Sequence, residues 1–301
     1  MLFLKLLVGL IGILVVLYLL VPRGNLLHEL LHLPIYHYHL FRNRTGPIPF
    51  TRHYFGKHQK QYFLHFPPVA GVPEQKQVIL FFHGGGWSLG SPEMFTINAA
   101  FFAQRGYHVF MPSYRRIPFF RYPAIRADLS NGFLAIRSVM EKEGILNKKI
   151  ISAGMSAGGN LAALLVYDRQ TLAQLNVSPA IFSGILLLAA PLDLSKMDAT
   201  PVRWSYAGRV SHPAFTAASP IHYLQEKETL SVLTIHGTRD GLVAFEAADS
   251  FMELLKQKQK ENCTFYVLEN GTHLDTGSWN FFDNELRSVI LKWLEKLDED
   301  A

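Results

Sequence analysis

The chain has 301 residues, of which 49% are hydrophobic and 18% charged, a balance that excludes disorder, collagen-like repeats and acidic tails. A single cysteine, Cys263, excludes an intrachain disulfide and a cysteine-built zinc site. The net charge of +5 is mildly basic, and without interleaved basic and aromatic residues it implies no nucleic-acid partner. It suits attraction to an anionic membrane surface instead.

Residues 2–21 are apolar apart from Lys5 and two glycines. A bilayer core takes about 20 apolar residues as a helix. A cleaved signal would end at a small-x-small site after a shorter apolar run, whereas Leu20, Val21, Pro22, Arg23 and Gly24 follow here. The expectation is therefore an uncleaved signal anchor over residues 1–22 and a single-pass membrane protein. Its sidedness is open: Arg23, Arg42 and Arg44 favour a cytoplasmic C-terminal part. Sequons at Asn43, Asn176, Asn262 and Asn270 favour the opposite side.

Residues 23–60, rich in His, Arg and aromatics, read as a juxtamembrane segment. Within it, His28-Glu29-Leu30-Leu31-His32 matches the H-E-x-x-H zinc-protease pattern. The extended pattern fails, because Ile35 and Tyr38 stand where a glycine and a third histidine belong. Pro34 is also expected to end the helix almost at once. The match reads as a decoy, and no metal is expected.

From residue 61 to 298 short β-rich runs alternate with helical windows. The predicted strands are 62–66, 78–82, 108–112, 149–154, 184–190, 231–236 and 264–268. The predicted helices are 93–105, 124–142, 157–168, 244–260 and 278–296. Several strands are near-continuous apolar runs, as in a parallel sheet covered on both faces. The alternation predicts one three-layer α/β domain with a mostly parallel sheet. Residues 193–223 break it with Pro201, Pro213 and Pro220, which predicts a short lid or insertion.

Four motifs carry the chemistry. Gly154-Met155-Ser156-Ala157-Gly158 sits between a predicted strand and a helix, the context of a nucleophile elbow with Ser156 at its tip. His83-Gly84-Gly85-Gly86-Trp87 follows the strand at 78–82, and its bare glycine N–H groups can point into a cleft. Gly84, Gly85 and Ala157 are the candidate donors to an oxyanion. Asp240 follows the strand at 231–236 and His273 the strand at 264–268, both beyond the carboxyl ends of strands where sites form in open α/β sheets. Asp193 is the fallback acid and Asp275 a weaker one. The order Ser156, Asp240, His273 is that of the α/β-hydrolases.

These motifs resemble the α/β-hydrolase superfamily, and within it the carboxylesterases similar to hormone-sensitive lipase. The resemblance rests on HGGGW (83–87), GMSAGGN (154–160), HGTRD (236–240) and GTH (271–273), and extends over residues 61–298. It implies a triad of Ser156, Asp240 and His273, an oxyanion hole at Gly84, Gly85 and Ala157, and no cofactor. The implied substrate is a small, lipophilic carboxylic ester. Met155 stands where the family often has Asp, and Arg116 where an apolar residue is usual. The glycine loop is also similar to that of arylformamidases, so an amidase stands as the alternative, beside a non-catalytic hydrolase scaffold.

Overall fold

The computed structural model describes residues 1–42, 48–226, 228–259 and 261–299, without the side chains of residues 2–5 and 8. Asn43, Arg44 and the side chain of Lys5 lie outside the described residues. Eight strands form one sheet: β1 (Thr51–Tyr54), β2 (Tyr62–Phe66), β3 (Gln77–Phe82), β4 (His108–Pro112), β5 (Lys149–Met155), β6 (Phe182–Leu188), β7 (Ser231–Gly237) and β8 (Cys263–Leu268). Their order is β1-β2-β4-β3-β5-β6-β7-β8, antiparallel for the pairs β1–β2 and β2–β4 and parallel from β4 onward. The α/β-hydrolase architecture expected from the motifs is thus present.

Two apolar layers enclose this sheet because alternate strand residues point to opposite faces. Val78, Leu80 and Phe82 of β3 pack with α4 (Tyr122–Lys142), α5 (Ala157–Tyr167) and α9 (Phe245–Lys258) through Phe133, Leu161 and Phe251. Ile79 and Phe81 face α3 (Thr96–Ala103) and α11 (Glu285–Glu299) through Phe102, Ile290 and Trp293. All six β3 residues are buried, which explains why the run lacks polar alternation.

The expected membrane anchor is corrected. Among the described residues no helix is long and apolar enough to cross a membrane. The N-terminal helix is α1 (Leu2–Leu20). Its end instead packs on the rest of the chain: the Tyr18 ring stacks on His28 at 4.9 Å, and its hydroxyl lies 3.4 Å from His32 Nδ1. The membrane partner and the single-pass localisation fall with it.

One further expectation changes: Pro34 does not stop α2, which runs Leu26–Arg42 through it. Within the 193–223 segment Pro201 and Pro213 open α7 (Pro201–Ala207) and α8 (Pro213–Ala217). A proline at a helix's first position loses an N–H that has no partner there anyway. The insertion is anchored by Tyr206, whose buried ring stacks on Trp87 at 3.9 Å and whose hydroxyl donates to Asn160 Oδ1. The sequon residues Asn176, Asn262 and Asn270 all adopt left-handed backbone at turns, a conformation asparagine tolerates.

Candidate active site

The carboxyl ends of β3, β5, β7 and β8 gather the four motifs, and hydrogen bonds stitch these ends together. Ser156 N–H donates to Leu188 O, Ala189 N–H to Ile235 O and Arg239 N–H to Gly271 O. The strand-turn-helix at Ser156 is as tight as the elbow pattern demands. Ser156 has φ 54° and ψ −127°, a region that costs a non-glycine residue about 1–3 kcal/mol. A Cβ on Gly158 would overlap the carbonyls of Phe82 and His83, so only glycine lets α5 close on the end of β3.

The glycine loop lies against this elbow, for a Cβ built on Gly84 would sit 3.5 Å from Ser156 Cβ. Gly85 at φ 120° and Gly86 at φ 57° wind the loop back toward Leu89, whose N–H donates to Gly85 O. Among the described residues the N–H groups of Gly84, Gly85 and Ala157 have no protein acceptor. Behind the loop the buried His83 donates through Nδ1 to Gly84 O at 2.7 Å and stacks on Tyr114 at 4.7 Å. Burial is the main reason that His83 is pushed down to about 3, which keeps the ring neutral and the tautomer fixed. Arg116 adds to that shift, and among the described residues its buried Nε and Nη2 have no hydrogen-bond partner.

His273 and Asp240 meet directly, with Nδ1–H donating to Oδ2 at 2.7 Å. The other oxygen, Oδ1, accepts the N–H groups of Leu242 and Val243 at 2.9 and 2.8 Å. His236 Nε2 adds a contact of 3.2 Å to Oδ2, although no motif argument gave it a role. Burial opposes ionisation of Asp240, but the His273 and His236 rings outweigh it and hold the carboxyl below the usual range. Burial likewise disfavours a charged His273, and the Asp240 carboxylate more than reverses this, so its titration lies above that of an ordinary imidazole. The Ser156 hydroxyl has no hydrogen bond to His273 here. Such bonds are often loose in unliganded enzymes and tighten with substrate.

The two substitute acids are engaged elsewhere. Asp193 caps a short 3₁₀ turn by accepting from Ser195 N and Oγ. Asp275 closes a capping box with Thr272 and lies 3.5 Å from Arg23. The residue that sequence reasoning missed is Glu29, set aside with the zinc-like pattern. It is fully buried and accepts the backbone N–H of His273 at 2.7 Å. Its only local signal is an acid in the first turn of a helix rich in apolar residues.

The elbow at Ser156, the glycine loop and the Asp–His pair lie together at one end of an α/β-hydrolase sheet. More narrowly, the chain belongs to the BD-FAE family, which matches residues 64–255. It is 28% identical to esterase LipC of Mycobacterium tuberculosis over 213 residues, 65% of this chain and 52% of that protein. It is also 28% identical to arylacetamide deacetylase-like 4 family member 1 of Mus musculus over 123 residues, 40% of this chain and 30% of that one. The chain thus spans about half or less of the length of these curated relatives. A solved structure of Thermogutta terrifontis esterase 2 with bound butyrate superposes with a TM-score of 0.62 and 25% identity, covering 83% of this chain and 92% of that one.

Proposed function

We propose that this chain is a serine esterase that cleaves small carboxylic esters through an acyl-enzyme. Ser156 attacks the ester carbonyl while His273 takes its proton and later delivers it to the leaving alcohol. Asp240 holds the imidazole with Nδ1 protonated and stabilises the imidazolium that forms. The N–H groups of Gly84, Gly85 and Ala157 stabilise the oxyanion, each donor being worth about 10²–10³ in rate. Water then frees the acid and restores Ser156, with no cofactor in either step.

The observation that carries this reading is the 2.7 Å pair of His273 and Asp240, set beyond the same strand ends as the strained Ser156. The butyrate bound to the Thermogutta enzyme supports short acyl groups as the first substrates to try. The test is turnover of p-nitrophenyl butyrate by the wild type and by Ser156→Ala, with N-formyl aromatic amines assayed in parallel. The reading expects loss of about 10⁶ in kcat on substitution. Full turnover by Ser156→Ala sinks the mechanism. Faster cleavage of the formamides would make it an amidase using the same groups.

A further inference from the structure

Glu29 of α2 lies outside the four catalytic motifs yet touches both loops that carry the Asp–His pair. Its Oε1 accepts the N–H of His273 at 2.7 Å and of Gly241 at 3.2 Å, and its Oε2 the N–H of Leu274 at 3.4 Å. Gly241 directly follows Asp240, so one carboxylate ties together the two chain segments whose separation sets the Nδ1–Oδ2 distance. The fit is close: a Cβ on Gly241 would lie 2.8 Å from Asn25 O and 3.1 Å from Glu29 Cγ. Seven residues on, along the same face of α2, the buried Tyr36 hydroxyl donates to Sδ of Met155, the residue before the nucleophile, at 3.6 Å.

Burying a carboxylate is costly, and its cost is ordinarily offset by a cation. Among the described residues no lysine or arginine pairs with Glu29. The charged and titratable groups around it are Arg23, His28 and His32 from its own segment, His273 and Asp275 from α10 (His273–Gly277), and Asp240 from the β7–α9 loop. Backbone donors alone would be served by a neutral amide oxygen. A negative charge gains most where a positive one develops, and in the esterase mechanism that place is the His273 ring.

We propose that Glu29 is a positioning residue for the His273–Asp240 pair, locking the two loops in register and placing a second negative charge behind the imidazole. The proposal rests on the esterase reading for its catalytic meaning. Its geometric content does not: α2 is a working part of the site, and the H-E-x-x-H pattern serves the serine chemistry through its glutamate.

The test compares full-length wild type, Glu29→Gln and Glu29→Ala for kcat and KM on p-nitrophenyl butyrate across pH. The His273 titration is followed by NMR in a Ser156→Ala background with and without Glu29→Gln. Glu29→Gln is expected to keep KM within about threefold and to lose kcat about 10–100-fold, the scale of a small misplacement of a catalytic group. The acid limb of its kcat/KM profile and the His273 titration both move to lower pH by about half a unit, since a charge that favours the imidazolium is gone. Unchanged kcat and an unmoved titration in Glu29→Gln overturn the proposal. So does a loss of kcat that merely parallels the fraction unfolded in circular dichroism. Should the wild type show no Ser156-dependent turnover, the esterase reading fails, and the NMR titration alone decides the role of Glu29. Glu29→Ala is expected to be the less stable variant, because it leaves the N–H groups of His273 and Leu274, both buried, and of half-buried Gly241 without this acceptor.

Discussion

Asp240 faces His273 with one carboxylate oxygen and is clamped by backbone through the other. Oδ2 accepts from His273 Nδ1 at 2.7 Å while Oδ1 takes the N–H groups of Leu242 and Val243. The clamp leaves the carboxylate a single orientation, so the imidazole has a single tautomer, with Nε2 free to act as a base.

In the proposed mechanism that pair sets the pH dependence of activity. A base must be neutral to accept a proton, and Asp240 keeps His273 protonated to higher pH than an ordinary imidazole, which titrates near 6.5. Activity on p-nitrophenyl butyrate should therefore rise with pH through a midpoint above 6.5. Asp240→Asn should lower kcat by about 10⁴ and move the midpoint down, because the carboxylate that favoured the imidazolium is gone. A midpoint at or below 6.5 in the wild type would contradict the geometry.

Ser156 sits at φ 54°, a strained conformation for a residue with a side chain. Ser156→Gly should abolish turnover yet raise stability by about 1 kcal/mol, the relieved strain exceeding glycine's extra unfolded-state entropy. Urea melts of the two proteins measure this, and a less stable glycine variant would show that the elbow holds no strain.

Arg115 holds Asp128 by a bidentate ion pair whose carboxylate side chain is fully buried, and Asp128 also accepts from Gln61 and from the Arg115 N–H. Arg115→Ala would strand that charge and should cost about 3–5 kcal/mol. Asp128 and Arg115 together replaced by apolar residues should cost markedly less, a difference that thermal melts of the single and double variants will read.

Acid should unfold the protein through its buried neutral histidines. His65 stacks on Phe110 at 4.4 Å, bonds His108 at 3.1 Å and is pushed down to about 4, chiefly by burial and then by His108. A folded-state value below the unfolded one means the unfolded chain takes up the proton first. Stability is then complete above about pH 6.5 and falls as pH drops toward 4, by an amount of order 3 kcal/mol for His65 alone. His65→Phe, which keeps the stack, should flatten that acid limb in urea titrations at pH 4.5 and 7.5.

Much of this protein was legible from local pattern alone. The strand–Gly-x-Ser-x-Gly–helix run, the triple glycine after β3 and the placement of Asp240 and His273 after two strands are short-range features. Each is dictated by turn sterics and by burial on both faces of a parallel sheet. The strand at Thr51–Tyr54 was missed because its residues are mostly exposed and it exists by pairing with β2 at the sheet edge. The apolar N-terminal run was misread because hydropathy counts residues and takes no account of Tyr18 turning back onto His28 and His32.

By itself the sequence determined the hydrolase fold, the chain order of the candidate triad and the glycine loop, since each follows from residues adjacent along the chain. Only the tertiary structure decided that Asp240 rather than Asp193 or Asp275 meets His273, that His236 shares that carboxylate, and that Glu29 joins the two loops. Glu29 and His273 are 244 residues apart, and nothing in either neighbourhood encodes the other. A buried carboxylate finds its donors only when distant segments pack, and that packing is a property of the whole core.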